Sequence, residues 1–186
     1  MSRNLGRLIA VVGPSGVGKD SVLTGLQAAC PSLHLVRRVI SRPETVGGEH
    51  FKSVSESGFA EMRAAGVFTL YWYAHGLAYG IPQSVNTQLS AGTDCLVNLS
   101  RSVLMQAQAS FDPLIILNLT APKDTLADRL LARGRENADQ IQDRLQRATA
   151  PIPDGLDTMT TIANDAPIEK TIQQILTQIY PVREYR

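Results

Sequence analysis

Short apolar runs alternate along this chain with longer segments in which apolar residues recur at helical spacing. Apolar runs bounded by turn residues predict buried strands, and the periodic segments predict amphipathic helices. The predicted strands are 8–12, 33–40, 96–99, 114–119 and 160–163, and the predicted helices are 19–29, 122–133, 138–148 and 167–179. This alternation predicts an α/β fold of three layers, with helices on both faces of a mostly parallel sheet.

One stretch interrupts the alternation. It contains Gly47-Gly48, a short helical pattern at 58–65 and an aromatic, strand-like run at 68–74. We therefore expect a small insertion that stands off the sheet. The predicted organisation is a single domain, 1–186, with a core of 1–41, 93–133 and 149–186, an insertion of about 42–92 and a helical lid of about 134–148.

Length and composition limit the classes of function. A chain of 186 residues fits one domain, and a net charge of +1 gives no electrostatic reason to expect nucleic acid as a partner. Cys30 and Cys95 show neither metal-ligand spacing nor a disulfide framework, and the lack of such a framework is typical of a reducing compartment. The polar start and the short first apolar run predict neither a signal peptide nor a membrane span. We expect a cytoplasmic protein with small-molecule partners, either monomeric or homodimeric.

A glycine-rich loop follows the first predicted strand and opens the first predicted helix. Its glycines let successive backbone N–H groups face an anion, the helix start adds positive charge, and Lys19 can reach the outer phosphates of a nucleotide. The pattern predicts a binding site for ATP. Its residues are Gly13, Pro14, Ser15, Gly16, Val17, Gly18, Lys19, Asp20 and Ser21.

The loop departs from the usual pattern directly after the lysine. A serine or threonine is expected there to hold Mg²⁺, whereas this chain has Asp20 followed by Ser21. A carboxylate is a suitable hard-oxygen ligand for Mg²⁺. Asp20 can equally serve as a first-turn acid stabilised by the helix dipole. Asp20 and Ser21 are the predicted metal ligands, with the second interpretation of Asp20 left open.

Arginines cluster on two predicted helices and the turn between them. Arginines carried by a closing lid stabilise the charge that phosphoryl transfer spreads over the transferring oxygens. A solvated basic face paired with nearby acids is the alternative, expected for two of the five. We predict that Arg133, Arg144 and Arg135 act in catalysis, and the remaining members are Arg129 and Arg147.

Further candidate ligand contacts lie where predicted strands end, since ligands of open α/β sheets gather beyond the carboxyl ends of the strands. Arg38 and Arg42 lie at the end of the second predicted strand and are predicted to bind the acceptor, together with the Tyr79 hydroxyl. His75 is more typical of a turn residue than of a general base. Ser100, Arg101 and Asn164 also follow predicted strands.

Together these motifs resemble the guanylate kinase family over nearly the whole chain. The resemblance is carried by Gly13-Pro14-Ser15-Gly16, Arg42-Pro43, the 76–80 turn with Tyr79, and the 129–134 segment. It implies a P-loop nucleoside-monophosphate-kinase-like fold, with ATP on the loop and a monophosphate acceptor under the insertion. By this resemblance Arg42 and Tyr79 hold the acceptor phosphate, and Arg133 and Arg144 hold the transferring one.

Two departures argue against guanylate as the acceptor. Guanylate kinases carry a glutamate where this chain has Leu70, and an acidic segment where it has Asn98-Leu99-Ser100. Leucine cannot accept the hydrogen bonds of guanine, and a polar edge without a partner costs discrimination. A second acceptor arginine is also missing, since Thr45 lies near its place.

A closer resemblance is to the bacterial ribose 1,5-bisphosphate phosphokinases. It rests on Gly18-Lys19-Asp20-Ser21, Ile40-Ser41-Arg42, Leu96-Val97-Asn98 with Ser100-Arg101, and 133–138. It implies ATP-dependent formation of 5-phosphoribosyl 1-diphosphate in phosphonate breakdown. Arg42, Tyr79, Ser100 and Arg101 would then face the sugar bisphosphate, and Asn164 would lie near the adenosine. The alternatives are a nucleoside monophosphate kinase with another base preference and a non-catalytic binding module.

Overall fold

The computed structural model describes residues 5–43, 51–134 and 137–181. The strands are β1 (Leu8–Val12), β2 (His34–Leu35), β3 (Arg38–Ile40), β4 (Phe51–Ser53), β5 (Phe68–Ala74), β6 (Leu77–Pro82), β7 (Cys95–Asn98), β8 (Leu114–Thr120) and β9 (Met159–Ala163). The helices are α1 (Lys19–Ala29), α2 (Glu56–Ala64), α3 (Ser84–Ser90), α4 (Leu104–Ser110), α5 (Lys123–Arg133), α6 (Ala138–Ala148) and α7 (Ile168–Ile179), and a 3₁₀ turn covers Arg101–Val103.

The first sheet is parallel and has the strand order β2-β7-β1-β8-β9. Its central strand β1 is buried on both faces, because Leu8, Ala10 and Val12 pack in one hydrophobic cluster and Ile9 and Val11 in another. Strands with two covered faces are apolar throughout, as the uninterrupted run of β1 indicates. The predicted α/β architecture is confirmed.

A second sheet, with the order β4-β3-β6-β5, lies outside the first. Strands β5 and β6 form an antiparallel hairpin that turns at His75 and Gly76, with φ values of 54° and 72°. The sheet begins at Arg38, ahead of the expected limit of the insertion at 42. The division of the chain into core, insertion and lid stays a proposal.

The single strand predicted over 33–40 is wrong. β2 pairs with β7 in the first sheet, whereas β3 pairs with β4 and β6 in the second. The chain crosses between sheets after Val36, whose N–H still donates to Leu96 O across 2.8 Å. Val39 and Ile40 resume the apolar residues beyond the crossing, and the pair Arg37-Arg38 lies where the chain changes sheet.

Most predicted helices appear within a residue or two of their expected limits. α1 and α6 match, and α5 and α7 begin one residue later because Pro122 and Pro167 occupy their N-cap positions. The short helix α3 was not predicted, and of its residues only Val85 is buried. Within the described ranges, every helix is too short or too polar to cross a membrane.

Candidate active site

The glycine-rich loop between β1 and α1 requires its glycines. Gly13, Gly16 and Gly18 have φ values of 147°, 85° and 94°, which side chains rarely tolerate. A Cβ at Gly13 would lie 2.5 Å from Leu119 O, and one at Gly18 would lie 2.8 Å from Asn164 Nδ2. The loop is therefore shaped by backbone conformation and by close packing behind it.

Lys19 folds back over this loop. Its Nζ donates to Gly13 O at 2.9 Å and to Pro14 O at 3.0 Å. Burial, together with smaller effects of the positive charges of Arg38, Arg101 and Arg133, lowers the pKa of Lys19 to about 8 against the opposing effect of Asp20. A cation held in such surroundings is stabilised by an incoming anion.

Asn164 supports the loop from behind. It is 4% exposed, and its Nδ2 donates to Val17 O at 2.7 Å while its Oδ1 accepts from Thr171 Oγ1 at 2.8 Å. Arg129 adds a bond from Nη1 to Asn164 O at 2.9 Å. Both ends of the Asn164 amide thus hold protein groups, and its expected place near the adenosine stays a prediction.

Asp20 lies in the first turn of α1, and Asn98 at the end of β7 donates from Nδ2 to its Oδ1 at 3.0 Å. One carboxylate oxygen is thereby fixed beside Lys19. In the part of the chain that the structure describes, no three His, Cys, Asp or Glu residues form a metal cluster. A single carboxylate such as that of Asp20 fits Mg²⁺, which commonly takes one carboxylate from the protein and completes its shell with phosphates and water. Ser21 is exposed on the same helix.

Arginines from the two helices α5 and α6 reach different parts of the molecule. Arg144 Nη1 lies 2.6 Å from Ser15 Oγ in the loop, and Arg147 Nη1 lies 2.9 Å from His75 Nδ1 in the hairpin turn. Arg133 is exposed in the last turn of α5. Arg135 lies outside the described residues. The structure thus brings Arg144 to the loop, as predicted from the cluster.

Arg101 and Ser100 have protein partners of their own. The Arg101 guanidinium donates to the backbone oxygens of Arg147, Ala148 and Ala150, at the end of α6. Ser100 Oγ accepts from Ser102 N and caps the 3₁₀ turn. The guanidinium of Arg101 is thus directed to the end of α6, and the expected role of both residues toward the acceptor stays a prediction.

Aromatic rings mark the side of the site formed by the second sheet. Trp72 stacks on Tyr79 with ring centroids 5.2 Å apart and planes within 8°. The guanidinium carbon of Arg38 lies 5.6 Å from the Tyr79 centroid, and that of Arg42 lies 4.6 Å from the Phe51 centroid. Arg38 and Tyr79 are therefore brought together, as expected for two acceptor-binding residues.

A family model described as "Guanylate kinase" matches residues 5–180. This chain belongs to the guanylate kinase family. The structure agrees, since it superposes on a crystal structure of guanylate kinase from Anaplasma phagocytophilum with a TM-score of 0.67, covering 100% of this chain and 90% of that one. At 15% identity, that likeness shows the fold alone.

Curated relatives in the family are much more similar in sequence. "Ribose 1,5-bisphosphate phosphokinase PhnN" from Ruegeria sp. (strain TM1040) is 47% identical, over 90% of this chain and 88% of the relative. The protein of the same name from Agrobacterium fabrum (strain C58) is 42% identical, over 92% of this chain and 96% of the relative.

Within this guanylate kinase family member, Leu70 is 5% exposed and packs in the same hydrophobic cluster as Trp72 and Ile81. The position that carries a base-recognising glutamate in true guanylate kinases is here part of the core. Leu70 therefore offers no polar group to a nucleobase.

Sequence reasoning missed two supports of the site. Arg129 was grouped with the lid arginines, but its Nη1 donates to backbone oxygens of Asn164 and Val17. Thr171 was not singled out, although it is 2% exposed and holds Asn164. A polar residue within the otherwise apolar stripe of α7 is the one signal that could have identified Thr171.

Proposed function

We propose that this protein phosphorylates ribose 1,5-bisphosphate with ATP to give 5-phosphoribosyl 1-diphosphate and ADP. The observation that carries the proposal is the 47% identity, over nine-tenths of the chain, to a relative whose name states that kinase. Leu70 supports it, since an apolar core residue replaces the guanine-binding carboxylate. A cytoplasmic location and a place in phosphonate breakdown belong to the same proposal.

The loop provides the donor side of the reaction. Backbone N–H groups of residues 15–21 and the Lys19 ammonium would surround the β- and γ-phosphates of ATP. Lys19 would exchange its bonds to Gly13 O and Pro14 O for bonds to phosphate oxygens. The phosphate would give its ammonium a negatively charged partner, which the neutral carbonyls are not. Asp20, oriented by Asn98, or Ser21 would hold Mg²⁺, which neutralises phosphate charge when bound.

The acceptor is already a nucleophile. An oxygen of the 1-phosphate would attack the γ-phosphorus, the bond from that phosphorus to the β–γ bridging oxygen would break, and ADP would leave with the electron pair. Because the attacking oxygen is anionic at neutral pH, no general base is required. Catalysis then consists of positioning and of charge stabilisation, for which Arg144, Arg133 and Arg135 are the proposed groups.

Two phosphates on the acceptor require cationic surroundings away from the loop. Arg42, Tyr79 and Arg38 would supply them from the second sheet. Arg38 is 7% exposed against the Tyr79 ring, and a guanidinium in such partly desolvated surroundings binds phosphate more strongly than one in water. Ser100 follows β7 and is retained as a proposed contact of the acceptor.

The direct test is Mg²⁺-ATP turnover with ribose 1,5-bisphosphate and guanosine monophosphate as parallel acceptors, with products identified by phosphorus NMR. We expect 5-phosphoribosyl 1-diphosphate and little guanosine diphosphate. Efficient guanosine diphosphate formation would make the protein a guanylate kinase, and no turnover with any acceptor would favour a non-catalytic binding module. The matched controls are Lys19→Met, which should abolish turnover, and Arg63→Met on α2, which should not.

The acceptor site has its own test. Arg42→Ala should raise the KM for ribose 1,5-bisphosphate at least tenfold and the KM for ATP less than threefold, since a charge-assisted contact contributes about 1.5–3 kcal/mol. Equal rises in both KM values would remove Arg42 from the acceptor site.

A further inference from the structure

The contacts of Arg101 connect the end of β7 with the end of α6. Arg101 begins the 3₁₀ turn three residues after β7, yet its guanidinium binds the chain at the end of α6. Its Nη1 lies 3.0 Å from Ala148 O and 2.7 Å from Ala150 O, and its Nη2 lies 2.9 Å from Arg147 O. One side chain thus binds three backbone carbonyls at one helix terminus.

Arg147 O and Ala148 O belong to the last turn of α6, and Ala150 O lies two residues beyond it. The last four C=O groups of an α-helix need capping, and together they carry partial negative charge that favours a cation. Arg101 supplies both the hydrogen bonds and the charge, with a planar fork that a lysine cannot reproduce. Arg101 thereby fixes the position of the C-terminal half of α6.

That half of α6 carries Arg144, one turn before the capped end. Arg144 Nη1 reaches Ser15 Oγ at 2.6 Å, where the loop is proposed to hold the transferring phosphate. On the other side, Asn98 in the strand before Arg101 holds Asp20 at the start of α1. The end of β7 therefore contacts the loop helix through Asn98 and α6 through Arg101.

We propose that Arg101 is a positioning residue, which sets Arg144 over the phosphate loop by capping α6 and does not bind the acceptor itself. The inference rests on the proposed kinase function for its kinetic readout only. Arg101 then contributes to kcat through Arg144, because a catalytic group displaced by about 1 Å can lose 10²-fold in rate. A direct acceptor contact would instead contribute to the acceptor KM.

The kinetic test compares Arg101→Met, Arg101→Lys and Arg144→Ala with the double variant of Arg101→Met and Arg144→Ala. We expect Arg101→Met to lower kcat 10–100-fold, with the KM for ribose 1,5-bisphosphate within twofold of wild type, and Arg101→Lys to recover part of the loss. The double variant should be no slower than Arg144→Ala, since residues acting as a unit are not additive. Lys170→Met, at an exposed cation on α7, is the control and should leave kcat unchanged.

A second readout does not depend on turnover. Hydrogen exchange followed by mass spectrometry should show faster exchange in the peptide covering 141–150 for Arg101→Met, with α1 and α7 unchanged. The exchange measurement tests the position of α6 even if ribose 1,5-bisphosphate is not the acceptor. If Arg101→Met folds poorly, Arg101→Lys can be measured instead and should show the same change in exchange at smaller amplitude. Unchanged exchange in 141–150, a rise in acceptor KM at constant kcat, or multiplicative losses in the double variant would each overturn the proposal.

Discussion

Arg144 of α6 donates from Nη1 to the Ser15 hydroxyl of the phosphate loop across 2.6 Å, although 129 positions separate the two residues. Ser15 is an uncharged partner for a guanidinium that lies at the proposed γ-phosphate position. A phosphate oxygen would accept a stronger hydrogen bond from the same guanidinium than the hydroxyl does.

Arg144→Ala and Ser15→Ala should therefore differ in their kinetic effects. We expect Arg144→Ala to lower kcat at least 10²-fold, because an arginine that stabilises the transferring phosphoryl group contributes about 10³–10⁵ in rate. Ser15→Ala should change kcat less than fivefold, since the Arg144–Ser15 bond is replaced when ATP binds. Steady-state kinetics with saturating acceptor would measure both, and similar losses in the two variants would contradict the assignment of Arg144.

Lys19 gives a prediction for nucleotide binding. Its pKa of about 8, lowered first by burial, means that the ammonium is partly deprotonated at pH 8, and ATP phosphates should raise that pKa again. Binding should then take up protons near pH 8, and ATP affinity should fall as the pH rises further. Calorimetry in two buffers of different ionisation enthalpy measures this uptake.

Lys19→Met is the control for that experiment. It should bind ATP more weakly and without the proton uptake assigned to Lys19. An enthalpy that is independent of buffer in the wild-type protein would show that Lys19 keeps its proton throughout.

Asn164 should matter more for stability than its single position suggests. Asn164→Ala removes the buried bonds of its amide to Val17 O and the Thr171 hydroxyl and leaves Val17 O with the longer 3.4 Å bond from Arg129 Nη1, at a cost of about 2–4 kcal/mol. Thr171→Val removes only the second bond and should cost about half as much. Urea denaturation gives both free energies of unfolding, and a loss for Asn164→Ala no larger than for Thr171→Val would refute the role of the Val17 contact.

Asp94 joins the two ends of the described chain. It accepts from Arg7 N at 2.7 Å, from the Arg7 guanidinium and from Tyr180 Oη at 2.7 Å. Burial by itself would raise the pKa of Asp94, but these hydrogen bonds outweigh it and hold the pKa below its usual range. The carboxylate therefore stabilises the fold above the ordinary pKa of an aspartate, and this contribution is lost as the pH falls through the lowered value.

Asp94→Asn should accordingly destabilise the protein at pH 7 by about 1–2 kcal/mol, with the difference from wild type shrinking toward pH 3. Thermal unfolding across that pH range measures the effect. The exposed Asp154→Asn is the matched control and should lie within about 0.5 kcal/mol of wild type at every pH. If the difference in stability between Asp94→Asn and wild type stayed constant with pH, the loss would come from changed hydrogen bonding of the side chain and not from its charge.

His75 links the hairpin turn to α6 through Arg147. Burial and the charges of Arg147 and Arg144 lower the pKa of His75, so the neutral ring accepts the Arg147 bond at physiological pH. We expect an NMR titration midpoint below 6.5 that moves up toward 6.5 in Arg147→Met. A midpoint at or above 6.5 in the wild-type protein would show that the contact is absent in solution.

The parts of this fold that sequence alone specified are those governed by local patterns. The glycine loop and α1 follow from residues adjacent in the chain, and the limits of α6 follow from Asn137, whose side chain caps the helix in a reciprocal pair with Gln140. The change of sheet after Val36 was missed, because a hydrophobic run records burial and not which neighbour provides it.

The same distinction explains the site. Strand-end position predicts that Ser100, Arg101 and Asn164 can contact ligand, but it does not indicate which protein atoms they bind. The partners of Arg101 lie 46–49 residues further along the chain, and Val17 lies 147 residues before Asn164. Such pairings depend on how helices pack over the sheet, and no local pattern encodes them.

Trp72 is the sole tryptophan of the chain, and its indole lies flat against Tyr79 beside Arg38. An indole so placed is an intrinsic fluorophore on the acceptor side of the molecule, remote in sequence from the ATP loop. Its emission would report occupancy of that side without any attached dye. Titrating the unmodified protein with each proposed substrate in turn would show which of them changes that emission.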